Sequence, residues 1–277
     1  MSTSATYYPR NFMARAIFAW LFLVLVYFFF THTLVSQMQQ PVLVYPGSDN
    51  TFWLFHLLHI PQYLLQHYWA ALFFDVVLTT SCLVCIFVPG QRLFTWITVI
   101  GTWILYVCYC TAAGKHYAQI GYLITPIAFL ALRPQRFQFT WELVRYWVCF
   151  LYVSAGIYKI WYGGFAAADN MSNIVAQTHA DWLPLVQDGW RSQAAQWLIE
   201  HPASQWFYRL VTVIDLALIV GFFTKKYDKW LVLGLIAFHV GNYLLLQISF
   251  VEQSLIFAPL LPWHKWANYF QSIKGND

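Results

Sequence analysis

Five residues of the segment WELVRYWVCFLYVSAGIYK (141–159) fall on one face of a helix: Arg145, Cys149, Tyr152, Gly156 and Lys159. Their successive spacings are four, three, four and three, the helical repeat. A cation at the centre of a membrane helix costs roughly 2.5–3.5 kcal/mol on insertion scales. Two of them on one stripe, with a tyrosine and a glycine, must face a bundle interior or a polar cavity. Lys159 is the candidate for chemistry, because an amine held away from water among Ala155, Gly156, Ile157 and Tyr158 is a competent general base. Arg145 cannot give up its proton. It is expected as a structural polar residue near the inner end of the span, snorkelling or paired with an acid or carbonyl.

Two further sets point to the same half of the molecule. In AFHVGNYLLLQ (237–247), His239 and Asn242 share a face at i and i+3. A neutral histidine there is a usable acid, base or donor, or else an interhelical hydrogen bond. In GKHYAQIGYL (114–123), Lys115 and His116 stand where two spans meet, as site residues or as a helix cap. Asp75 and Asp215 lie deep in apolar runs and must be protonated, hydrogen-bonded or paired. Either could serve a cation, and spacing does not choose between them. His56 and His59 lack a third ligand at a suitable spacing, so no metal is expected.

These residues need a membrane scaffold. The chain has 277 residues, 60% hydrophobic and only 9% charged, where a soluble domain carries about 25% charged residues. A polytopic, all-α membrane protein follows, read as a bundle of seven to nine transmembrane helices in one domain, 1–277. Runs long enough to span lie at roughly 14–36, 69–88, 93–112, 117–133, 140–162, 205–223 and 230–250. The first is read as a retained span rather than a cleaved signal. Residues 51–68, broken by Pro61, read as an interfacial segment. The 163–204 connection reads as an interfacial cap with Trp182, Trp190 and Trp197, and the stretch after Ile248 as a half-span.

The net charge of +4 is scattered in ones and twos, which excludes a nucleic-acid surface. With the N-terminus inside, inner segments hold Arg10, Arg15, Arg92, Arg133, Arg136, Lys225, Lys226 and Lys229, and outer ones hold Lys115, Arg191, Lys265 and Lys274. The bias predicts a cytoplasmic N-terminus, Lys159 at the outer end of its span, and a C-terminus outside if seven spans are present. A bacterial inner membrane is the expected location.

The run LVRYWVCFLYVSAGIYKIWYGGFA resembles the membrane domain of vitamin K-dependent gamma-carboxylases, the HTTM (horizontally transferred transmembrane) family. That family shows an Arg, a Tyr and an AG-x-x-K element, then a Trp and a Gly. The matching positions are Arg145, Tyr152, Ala155, Gly156 and Lys159, then Trp161 with Gly163 or Gly164. The stretch FHVGNYLLLQISFVEQSLIFAPLLPW is similar to the family's FH-x-x-N helix with its Pro–Trp ending, through Phe238, His239, Asn242, Pro262 and Trp263. KHYAQIGYL is similar, less tightly, to an NH-x-YL segment, with His116 in the matching place. The departures are Tyr158, where a second lysine often precedes the catalytic one, and the lack of the carboxylases' extracytoplasmic β-rich domain. The resemblance therefore carries quinol chemistry further than carboxylation of a protein.

What the resemblance implies is a lyase- or oxidoreductase-like site. Its cofactor is a quinol of the vitamin K or menaquinol type, with O2 and CO2 as co-substrates and a protein or lipid as acceptor. Lys159 is the base that deprotonates the quinol, with His239 and His116 as further catalytic residues. Asn242, Tyr152 and Gly156 hold the cofactor, Gly156 by leaving room for a flat ring. Other readings stay open: a lipid- or quinone-binding or transport module, a non-catalytic partner subunit, or a thiol–quinone oxidoreductase using CLVC (82–85). The last resembles the CxxC of vitamin K epoxide reductases, though Cys82 and Cys85 lie near the inner loop PGQR and all five cysteines sit in apolar runs.

Overall fold

The computed structural model describes residues 9–39, 57–113, 120–131, 133–180, 189–246 and 251–274. No strand occurs among the described residues. Among the described residues, six helices are long and apolar enough to cross a membrane: Arg10–Gln37, Tyr68–Phe87, Arg92–Ala112, Pro134–Trp161, Pro202–Phe223 and Asp228–Leu246. The chain is an all-α, multi-pass membrane protein.

The α-helices are α1 (Arg10–Phe30), α2 (Ile60–Gln66), α3 (Tyr68–Phe87), α4 (Arg92–Ala113), α5 (Ile120–Ile124), α6 (Pro134–Trp161), α7 (Asn170–His179), α8 (Trp190–Glu200), α9 (Gln205–Ala217), α10 (Val220–Phe223), α11 (Asp228–Leu246) and α12 (Trp263–Lys274). Within the single domain expected over 1–277, the chain forms two compact units. Unit 1 comprises Met1–Glu142, Val251–Ala258 and Pro262–Asp277, and unit 2 comprises Leu143–Phe250 and Pro259–Leu261. Helix boundaries follow local chemistry. Proline opens α6 at a position where its missing N–H is no loss, and the Pro89–Gly90 turn separates α3 from α4.

In unit 1 the span expected at 117–133 is not one long helix. Over its described part it is the short α5 followed by a 3-10 turn, Thr125–Leu130, with Pro126 in its first positions. It lies beside α1, with Tyr122 against Phe28 at 5.8 Å and Phe129 against Phe18 at 5.5 Å between ring centroids. A second 3-10 segment, Val251–Leu260, takes the place of the half-span expected there. At ~2.0 Å rise per residue a 3-10 helix reaches further than an α-helix of equal length. Gly121 admits this neighbour. A Cβ there would stand 2.5 Å from the carbonyl oxygen of Gln253 and 2.6 Å from the Ile256 nitrogen, so only glycine allows the two backbones so close. The Thr125 hydroxyl donates to the Leu255 carbonyl at 3.1 Å, and the Trp20 indole donates to the Ser254 hydroxyl at 2.9 Å.

Such irregular backbone survives at membrane depth because protein surrounds it: Phe129, Leu255, Ile256 and Ala258 are buried. The chain then returns to the start of α1. Phe12 meets Trp263 at 6.3 Å and Phe270 at 5.6 Å, and Trp141 meets Trp263 edge-on at 6.4 Å. So α12 lies at the N-terminal end of α1, and the C-terminal segment, expected outside if seven spans are present, shares an end of unit 1 with Arg10. The sequence placed it oppositely because the stretch after Ile248, interrupted and Pro-ended, reads only as a half-span. Lys265, in α12, accordingly belongs to the same end of unit 1 as Arg10.

The expected interfacial segment at 51–68 contains α2, and its residues 51–56, His56 included, lie outside the described residues. Asp75, in α3, accepts the backbone N–H groups of Val35 at 3.3 Å and Ser36 at 2.8 Å, a capping role at the end of the first span. The expected cap at 163–204 contains α7 and α8, whose Met171, Val175, Ala195 and Leu198 pack with Leu246 at the end of α11.

Candidate functional site

The polar stripe of α6 faces α9, α10 and α11 within unit 2, and each member meets a specific neighbour. Arg145, 1% exposed, makes a bidentate pair with Asp228: Nε to Oδ2 at 3.1 Å and Nη2 to Oδ1 at 2.7 Å. It also donates to the carbonyls of Gly221 at 2.6 Å and Thr224 at 3.1 Å. One guanidinium thus ties the end of α10 and the start of α11 to α6, a geometry suited to its planar fork. Cys149 is buried one turn further on, where a Cβ on Gly221 would meet its sulfur at 2.5 Å.

Tyr152 and His239 meet next. The tyrosine hydroxyl and His239 Nε2 lie 2.8 Å apart, and Tyr152 is only 6% exposed. The hydroxyl of Tyr152, expected to hold a cofactor, is engaged here with a facing helix. The same bond turns His239 Nε2 toward α6. Gly156 is closely packed against α9. A Cβ there would lie 2.9 Å from Leu216 Cδ2 and 3.1 Å from Asp215 Cβ, so the space expected for a flat ring is filled by α9. The glycine instead brings α9 close to α6 at Asp215.

That approach sets up the end of the stripe. Lys159 Nζ donates to Asp215 Oδ2 at 2.6 Å, with side-chain exposures of 22% and 1%. The ammonium also lies 5.8 Å from the Tyr208 ring centre and 5.6 Å from that of Phe238, within cation–π range. The other carboxylate oxygen, Asp215 Oδ1, is buried with no hydrogen-bond partner among the described residues. Of the two deep aspartates, Asp215 serves the lysine.

Lys159 lines a cavity of about 390 Å³ formed by α6, α7, α9 and α11, a volume within the usual range for small-molecule sites. Its walls are Met171, Ile174, Leu210, Val211, Ile214, Ala237, Leu245 and neighbours, and its polar groups come from Lys159, Tyr208 and Asn242. Asn242 therefore stands at the cavity wall, one turn beyond Phe238. His116 and Lys115 lie outside the described residues. The cap supports the cavity floor: Gln205 Nε2 donates to the Gly164 carbonyl at 2.8 Å and its Oε1 accepts from the Met171 N–H at 3.1 Å. The His179 Nε2 lies 2.7 Å from the Leu245 carbonyl.

Sequence reasoning missed Asp228, Tyr208 and Phe238 as a set. Only Phe238 carried a signal, as part of the FH-x-x-N stretch. The CLVC cysteines are far from a reactive arrangement: Cys82 and Cys85 are buried, and Cys82 Sγ donates to the Phe18 carbonyl at 3.2 Å. Thiol exchange needs an accessible thiolate, which these thiols do not offer. Among the described residues no cluster of three or more metal-ligating side chains occurs. No family model, curated protein or solved structure matches the chain.

Proposed function

We propose that this chain is a gamma-carboxylase-like HTTM-type membrane protein that takes a quinol-type amphiphile into the cavity beside Lys159 and accepts a proton from it there. The observation that carries this reading is the Lys159–Asp215 pair at 2.6 Å, set as the polar end of an otherwise apolar cavity. The residues fit such a ligand. Leu210, Ile214 and Leu245 offer surface to an isoprenoid or acyl chain, while Asn242 can both donate to and accept from a ring hydroxyl. A quinol bound there supplies the hydroxyl proton and the reducing equivalents for reaction with oxygen.

The chain's own groups do the rest. Phe238 and Tyr208 hold the lysine head, Asp215 balances its charge, and the Tyr152–His239 bond fixes α11 against α6 behind the site. On this reading the N-terminus is cytoplasmic and the cavity opens in the outer half of a bacterial inner membrane, following the excess of basic residues on the segments taken as inner. The acceptor, protein or lipid, is not specified by the cavity.

Oxidation of a reduced short-chain naphthoquinone by purified protein in nanodiscs tests the reading. Lys159→Met alone strands a buried carboxylate, so the informative variant is Lys159→Met/Asp215→Asn, which removes both charges together. It should fold, and its turnover should fall by about 10²–10⁴-fold, the contribution of a positioned base. Wild-type turnover in the double variant, or no quinol binding by the wild type, would sink the reading. One observation favours a second reading, a quinone- or lipid-binding module without catalysis. Lys159 is already neutralised by Asp215, as an anchoring lysine would be. Saturable binding with no turnover at any pH would decide for it.

A further inference from the structure

We infer that Asp215 is a positioning residue for Lys159 and shares its proton, so that the pair as a unit accepts the proton of a bound head group; this rests on the function proposed above. The geometry has three parts. Gly156 lets Asp215 approach α6, Asp215 Oδ2 takes the Lys159 hydrogen bond at 2.6 Å, and Oδ1 is left without a partner among the described residues in a residue 1% exposed. A carboxylate serving only as a structural counter-ion is normally satisfied at both oxygens, as Asp228 is by Arg145. Asp215 instead keeps one oxygen open beside a partner that reaches the cavity.

The bookkeeping of charge closes. As an ammonium and a carboxylate the pair is neutral, and it stays neutral if the proton shifts from Nζ to Asp215, leaving an amine and a carboxylic acid. The amine then takes a hydroxyl proton from the head group. One O–H bond breaks and one N–H bond forms, giving an ammonium, a carboxylic acid and an anionic head group, again neutral in sum. The nitrogen lone pair forms the new bond and the O–H pair stays on oxygen, so nothing is oxidised or reduced and no co-reactant is needed. The new ammonium lies against the new anion, and the proton on Asp215 is what leaves that positive charge uncompensated by protein. A lone lysine in hydrocarbon would have to begin as an unpaired amine, and a pair with both carboxylate oxygens occupied could not store the second proton. Among the described residues, the titratable side chains of this neighbourhood include Tyr152 and Tyr158 on α6, Tyr208 on α9 and His239 on α11.

Infrared difference spectroscopy on adding a reduced short-chain naphthoquinone to the protein in nanodiscs reads the carboxyl proton directly, with or without turnover. Wild type should gain a protonated-carboxyl C=O band on binding, absent in Asp215→Asn and shifted in Asp215→Glu. In turnover, Asp215→Asn should lower kcat by about 10²-fold with KM little changed, and Asp215→Glu should recover part of it. If Asp215→Asn fails to fold, the band shift in Asp215→Glu still assigns the proton. Binding without such a band, or a band unmoved in Asp215→Glu, overturns the role of Asp215 alone. No binding at all by the wild type overturns the quinol reading and this inference with it.

Discussion

Replacing Arg145 by alanine should destabilise the protein by about 3–5 kcal/mol, the range for removing one member of a buried ion pair. The structure shows where this arises. Asp228, 9% exposed, loses a bidentate partner, and the carbonyls of Gly221 and Thr224 lose their donor in the same step. Removing the stranded charge as well, in Arg145→Met/Asp228→Leu, should recover much of the loss. The remainder should be about 1–3 kcal/mol for the two carbonyls left without a charged donor. Reversible unfolding in mixed micelles, followed by tryptophan fluorescence, measures the wild type, Arg145→Ala, the singles Arg145→Met and Asp228→Leu, and the double variant on one scale. A double variant as unstable as the sum of its singles would mean that the pair is not coupled. If Arg145→Ala unfolds like the wild type yet abolishes turnover, the structural reading is refuted and Arg145 belongs to the chemistry.

Gly156→Ala should cost about 1–3 kcal/mol and weaken quinol binding, because its Cβ would stand 2.9 Å from Leu216 and 3.1 Å from Asp215 Cβ; unchanged stability and affinity would show that α9 does not need that approach. In a cysteine-free background, Arg92→Cys and Tyr269→Cys should both label with an impermeant maleimide from the same, cytoplasmic side. Labelling from opposite sides would contradict the packing of α12 on the start of α1. The native cysteines, all buried, should resist maleimide in mild detergent and react after SDS unfolding. Rapid native labelling of Cys82 or Cys85 would restore thiol–quinone exchange as a competitor.

The α6 stripe was legible because helical spacing alone puts Arg145, Tyr152, Gly156 and Lys159 on one face, and hydrocarbon forbids that face to lipid. What each member touches was not. Asp228 lies far along the chain from Arg145 and heads a helix, so nothing in its neighbourhood marks it as a partner. Asp215 was visible as a deep carboxylate, but the choice between it and Asp75 depends on which helices adjoin. Gly156 misled for a related reason: a missing side chain signals space without saying whether ligand or protein takes it. The 3-10 character of 125–130, inside a run read as a regular span, and of 251–260, read as a half-span, escaped because hydropathy counts residues and does not report rise per residue.

That pairing of Thr125–Leu130 with Val251–Leu260 bears on biogenesis. A hydrogen-bonded α-helix can be released from the translocon into lipid by itself, whereas these short 3-10 segments rely on the neighbours packed around them, Phe18, Phe137 and Trp141 against Phe129 among them. Gly121 waits for Gln253 and Ile256, and Thr125 waits for Leu255. The first part of the chain is therefore synthesised early and finished last, held incomplete while the whole of 143–250 is made and inserted. Nascent chains stalled before residue 251 should accordingly carry an open unit 1, a substrate for membrane quality control, even when the helices bearing Lys159 and Asp215 are already in the bilayer.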